Sequence, residues 1–82
     1  MAKTKIGKIA HYFTNIEVAV IALDKPLKEG DKILIEGATT NFEQTAESMQ
    51  IDKKPVKEAK KGQSIGMKVK DKVREGDIVY KL

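Results

Sequence analysis

The chain has no cysteine, no tryptophan and a single histidine, and its fifteen lysines stand against one arginine. Without cysteine there is neither a disulfide framework nor a thiolate metal site. One histidine cannot complete the four-ligand set of a structural zinc. A cysteine nucleophile is excluded outright. This composition fits a reducing compartment, and a cytoplasmic location is the expectation. Long hydrophobic runs are missing as well. The longest, Val18 to Leu23, has six residues, against roughly 20 needed to cross a bilayer. The basic N-terminus MAKTKIGKIAHYF is not followed by the apolar stretch of a secretory leader. At 82 residues the expectation is one domain, residues 1–82, with residues 1–4 as a flexible tail. A chain of this size buries only about 60% of its unfolded surface.

Charge is present in quantity but unevenly spread. Residues 1–52 carry six lysines and eight acids, a net of −2, whereas residues 53–82 carry ten basic residues and four acids, a net of +6. The segment Lys53–Arg74 is densest, with nine basic residues and two acids. Such a segment can attract nucleic acid or another polyanion. The plainer reading is a solubilising surface, since phosphate and base recognition favours arginine forks over lysine.

Glycine and proline punctuate the chain at short intervals, with β-branched runs between them, the pattern of an all-β sandwich or barrel. Strands are expected at Lys5–Phe13, Ile16–Leu23, Lys32–Glu36, Ser64–Lys70 and Asp77–Leu82. IEVAVIAL is apolar on both alternating faces, which predicts a strand covered on both sides. In SIGMKVK, Ile65, Met67 and Val69 are expected inward and Lys68 and Lys70 outward. Pro55, Val56, Ala59 and Gly62 predict a short helical turn near residues 55–61.

Two stretches nearly repeat, LKEGD at Leu27–Asp31 and VREGD at Val73–Asp77, 46 positions apart. Gly30 and Gly76 suit the positive φ of tight turns, and Asp31 and Asp77 can accept nearby backbone N–H groups. Lys61-Gly62-Gln63 is a weaker third copy. All are read as corners that launch strands. Neither aspartate has a histidine or second acid at a spacing that suggests acid–base work.

The order of these elements resembles the second, β-barrel domain of elongation factor Tu-type translational GTPases. The residues that carry the resemblance are Gly7-Lys8-Ile9, Leu27 to Asp31, Ser48-Met49, Val56 to Met67, and Arg74 to Val79. Within that family the chain looks most like small, free-standing archaeal-type translation elongation factor-like proteins. It is also similar to the barrel found as an accessory C-terminal domain on some collagenase-like peptidases. The resemblance implies a closed, six-stranded Greek-key-type barrel. It also implies a single long, bent strand over Thr40–Lys54, whose helix-forming residues and Thr40–Glu43 capping box would otherwise point to helix. GTP hydrolysis is not implied, because no G-x-x-x-x-G-K-[ST] loop is present.

The function expected on this basis is a non-catalytic, translation-related module contacting transfer or ribosomal RNA. Two lysine clusters would grip phosphate without reading sequence. One comprises Lys53, Lys54, Lys57, Lys60 and Lys61; the other comprises Lys70, Lys72 and Arg74. The alternative is a protein-interaction module associated with a larger enzyme or the ribosome, through an apolar patch near His11, Tyr12, Phe13 and Phe42. An enzyme is the weakest reading. His11 is a lone histidine on a strand, Ser48 and Ser64 have no base nearby, and Glu43, Glu47 and Asp52 lack a converging ligand partner. No cofactor, metal or membrane partner is expected.

Overall fold

The computed structural model describes residues 3–82. Met1 and Ala2, half of the expected tail, lie outside the described residues, and Thr4 already belongs to the first strand. Ten strands follow in order: β1 (Thr4–Phe13), β2 (Val18–Leu23), β3 (Leu27–Lys28), β4 (Lys32–Glu36), β5 (Asn41–Thr45), β6 (Met49–Ile51), β7 (Lys54–Pro55), β8 (Glu58–Ala59), β9 (Ser64–Lys68) and β10 (Ile78–Lys81). Eight form one antiparallel sheet in the order β5-β4-β10-β1-β2-β9-β6-β7, and β3 pairs with β8 in a small ribbon. The all-β expectation holds. No described residue is helical, so among the described residues no helix is long and apolar enough to cross a membrane.

Three finer expectations are corrected. Residues 55–61 do not form a helical turn, because their backbone groups are claimed by neighbours in space. Val56 N–H donates to Met49 O at 3.0 Å and Lys57 O accepts from Glu29 N–H at 2.7 Å, while Ala59 pairs with Leu27. With those groups satisfied across strands, nothing remains for an i→i−4 ladder. The long bent strand is broken. Residues 46–48 leave the ladder, Ser48 takes φ 55°, and the two halves lie far apart in strand order. In consequence the sheet is not closed into a six-stranded barrel: β5 pairs with β4 alone, and β7 with β6 alone.

The core is a single apolar cluster. Ile6, Ile9, Ile21, Ile33, Ile35, Ile65, Met67, Val69 and Val79 are all essentially inaccessible. Alternation places them: in β9, Ile65 and Met67 face in while Ser64 and Lys68 face out. In β2 the inward residues are Ala19, Ile21 and Leu23, whereas Val18, Val20 and Ala22 stay half-exposed on the outer face. Ile16 and Glu17 belong to the turn before β2, with Glu17 at φ 55°.

The repeated corner is the frame of the fold. In each copy the glycine has positive φ, 97° at Gly30, 86° at Gly62 and 93° at Gly76, and the preceding residue does not. The N–H after each glycine closes back onto a carbonyl three residues earlier, Asp31 to Lys28, Gln63 to Lys60 and Asp77 to Arg74, each at 3.1 Å. This is a type II turn. The side chain at the same position returns a bond in the opposite sense. Asp31 Oδ2 accepts Lys28 N–H at 3.0 Å, Gln63 Oε1 accepts Lys60 N–H at 2.7 Å, and Asp77 Oδ2 accepts Arg74 N–H at 2.9 Å.

Each corner then clamps one buried residue. Gly30, Gly62 and Gly76 donate to the carbonyls of Ala46, Leu23 and Ile9 at 2.8, 2.9 and 2.8 Å. Those same residues donate back to the carbonyls of Asp31, Gln63 and Asp77 at 2.7, 2.9 and 2.7 Å. The third copy, weaker in sequence, is complete in geometry.

Candidate functional site

The two lysine clusters fall in different places. Lys53 and Lys54 flank the β6–β7 turn, Lys57 precedes β8, and Lys60 and Lys61 sit on the Gly62 corner. All five are exposed. Lys53 itself is at φ 66°, a backbone position set by the tight turn. The second cluster is different. Lys70, Lys72 and Arg74 lie on the segment between β9 and β10, which bends at Lys70 and Asp71 and runs beside the free edge of β5.

Between that segment and β5 is a cleft. It has a volume of about 820 Å³ and runs past Glu43, Gln44, Thr45 and Ser48 on one side and Lys68 and Lys70 on the other. A separate, smaller pocket of about 280 Å³ is lined by Asn41 and Phe42 together with Lys72 and Arg74. The two walls are tied by one side chain. Gln44 Nε2 donates to Lys68 O at 3.1 Å, and Gln44 Oε1 accepts Lys70 N–H at 3.0 Å. A carboxamide therefore occupies the hydrogen-bonding positions that a neighbouring strand would otherwise fill.

A second surface is apolar. The outer face of β1 and β2 carries Val18, Val20 and Ala22 beside Phe13 and His11, in the register Phe13↔Val18 and His11↔Val20. Phe13 is 46% exposed and Ile16, at the hairpin tip, 60%. Phe13 and His11 meet edge to face with centroids 4.4 Å apart. Gly66 of β9 lies opposite Val20 and adds no side chain to this face. Of the aromatic residues expected to form a patch, His11 and Phe13 lie on it, while Tyr12 and Phe42 pack against the core. IEVAVIAL is thus apolar on both faces because one lines the core and the other is open.

The remaining candidates do not converge. Among the described residues no group of three or more His, Asp or Glu side chains is placed to hold a metal ion. His11 Nδ1 stands 3.8 Å from Glu75 Oε2 on the open surface. Asp31 and Asp77 are engaged in their corners, and Asp31 Oδ2 also faces Lys81 Nζ at 3.4 Å. The hydrogen bond to Glu36, at 2.8 Å, raises the Lys3 pKa above the ordinary 10.5, with Nζ held 4.5 Å from the Tyr80 ring centre. This is a pairing on the open surface.

No family model matches the chain. Among curated proteins it is 47% identical over 81 residues to an uncharacterized protease of Methanocaldococcus jannaschii, covering 98% of this chain and 20% of that protein. It is 38% identical over 81 residues to a collagenase of Porphyromonas gingivalis, covering 96% of this chain and 22% of the collagenase. The chain thus spans about one fifth of the length of these relatives. Among solved structures it superposes with a TM-score of 0.89 on the C-terminal domain of a Geobacillus thermoleovorans protein named as a U32 peptidase. That match has 20% identity and covers 96% of this chain and 92% of the domain, so the fold of that domain is the fold of this chain.

These relatives overturn the translation-factor reading. The proteins that match over nearly the whole chain are named as a protease and collagenases, not as elongation factor-like proteins. With that resemblance gone, nothing directs Lys53, Lys54, Lys57, Lys60, Lys61, Lys70, Lys72 or Arg74 toward RNA. The likeness to an accessory domain of collagenase-like peptidases is the one that the relatives support.

Proposed function

We propose that the chain is a non-catalytic, peptidase-associated domain that docks onto a peptidase body through the outer face of β1 and β2. The observation that carries this reading is the alignment of 98% of the chain with one fifth of a protease. A unit that recurs at that proportion is built to work beside a larger body. The chain's own surface supplies a means. Phe13 and Ile16 project from the hairpin beside Val18 and Val20, and burying two such side chains on a partner contributes about 1.5–3 kcal/mol each when complete. A rim of polar groups, His11 and Lys68, surrounds the apolar centre, the arrangement typical of protein interfaces.

The test is sedimentation velocity of the purified chain with the M. jannaschii protease from which the matching fifth has been removed. A complex is expected, and Phe13→Asp with Ile16→Asp should weaken it at least about tenfold, roughly 1.4 kcal/mol. Because both residues are exposed, the double variant should melt with the parent chain. No complex, or a complex indifferent to both substitutions, overturns the proposal.

A further inference from the structure

We infer that the cleft between β5 and the Lys68–Arg74 segment receives an extended acidic peptide, which adds to the free edge of β5 and closes the sheet. The first support is the backbone. At the ends of the β4–β5 ladder, Ala46 N–H donates to Asp31 O and Gly37 N–H to Thr40 O, both at 2.7 Å. Antiparallel alternation between these points turns the groups of Phe42 and Gln44 toward β4. It turns the N–H and C=O of Asn41, Glu43 and Thr45 outward, along an edge that no other described strand pairs. Such an edge is a template for strand addition.

The second support is the opposite wall. Lys68 O and Lys70 N–H face the cleft, and their only cross-seam partner is the Gln44 carboxamide. Both sides of the gap therefore offer main-chain hydrogen bonds, and an incoming backbone can take over the two that Gln44 makes. Inward-pointing polar groups often serve to blunt edges. Here, however, the plug is one side chain in a cleft of about 820 Å³, not a strand or a loop.

The third support is charge. Lys68, at the end of β9, and Lys70, Lys72 and Arg74, on the segment that bends at Lys70 and Asp71, are all exposed. Glu43 and Glu47 line the facing wall, Asp71 stands between Lys70 and Lys72, and Lys32 adds a fifth cation to the lining. The excess is basic, so a peptide with acids on its Lys-facing side is selected over a basic one. This site borders the Phe13 surface at Lys68, but it is built on the edge of β5 and does not depend on the docking proposed above.

The experiment is fluorescence anisotropy with a labelled peptide of roughly ten residues, a common strand length, alternating Glu and Thr. Three further ligands accompany it: the same peptide N-methylated at every second residue, a Lys–Thr version, and a single-stranded RNA. The Glu–Thr peptide is expected to bind. N-methylation should weaken it at least about tenfold, because it removes the strand's donors while leaving the protein and the peptide charge untouched. Lys70→Glu with Lys72→Glu should have a similar effect with the melting temperature unchanged, and Phe13→Asp should have none. Equal binding of the N-methylated peptide, RNA binding without peptide binding, no binding, or edge-to-edge dimers of the chain in its place would each overturn the inference.

Discussion

Asp77→Ala tests the corner repeat most directly. Asp77 is 6% exposed, its Oδ2 accepts Arg74 N–H at 2.9 Å, and its carboxylate lies against Gly37. A hydrogen bond to a charged acceptor contributes about 1.5–3 kcal/mol, and a stranded buried donor costs about 1–3 kcal/mol. The truncation also leaves empty space beside Gly37. Together these predict a loss of about 2–3 kcal/mol. Asp31→Ala should cost about 1–2 kcal/mol, because the Asp31 side chain is 22% exposed and water can replace part of its bond. Gln63→Ala, neutral and exposed, should cost about 0.5–1 kcal/mol. Urea titrations followed by circular dichroism give the three values. With about 4–8 °C per kcal/mol in a domain of this size, Asp77→Ala should melt about 10–20 °C below the parent chain. Equal losses at the three corners, or less than about 0.5 kcal/mol at Asp77, would refute the argument that these side chains hold the corners in proportion to their burial and charge.

Other perturbations separate backbone strain from crowding. Gly62→Ala and Gly76→Ala place a Cβ in open space but at φ 86° and 93°, so each should cost about 1–2 kcal/mol by conformation alone, read from the same titrations. In Gly37→Ala the new Cβ falls on Asp77 Oδ1; the expected cost is about 1–3 kcal/mol, and most of it should vanish in the Asp77→Ala background of a double-mutant cycle. Ile21→Val, in the fully buried middle of β2, should cost about 1 kcal/mol. Lys3 should titrate above 10.5 by NMR and return toward that value in Glu36→Gln. Because its folded pKa is raised, the pair's contribution to stability is present below the unfolded pKa near 10.5 and is lost as pH rises through the folded value.

Much of the architecture was legible where it depended on local chemistry. Alternation in SIGMKVK and the run around Ile33 and Ile35 put the right faces inward, since a period of two with one apolar set leaves little choice of register. The corners were legible because positive φ narrows the residue to glycine and the bond back to the backbone needs a short polar side chain. What failed depended on neighbours in space. Pro55 to Gly62 has the spacing of a helical turn, and only the claims of Met49, Glu29 and Leu27 on its backbone make it extended. Thr40–Lys54 looks continuous, and nothing local marks Ser48 as the break.

The site was half legible for the same reason. The sequence divided the basic segment Lys53–Arg74 into two lysine clusters and sent both to one RNA, but charge density along a chain says nothing about what each cluster faces. The Gly62 corner and β9 send Lys53–Lys61 and Lys68–Arg74 to different parts of the surface. The second group acquires meaning only from what it faces, the unpaired edge of β5 with Gln44 reaching across. That edge exists because the chain leaves the ladder at Ala46. Ala46 leaves it because the Gly30 corner takes both its N–H and its carbonyl, at 2.7 and 2.8 Å. The corner that launches β4 is therefore also what ends β5 and holds the cleft open. If so, Gly30→Ala should disturb the seam as well as the turn. The amide resonances of Lys70 and Gln44 should shift in Gly30→Ala and stay in place in Gly62→Ala, whose corner clamps Leu23 instead.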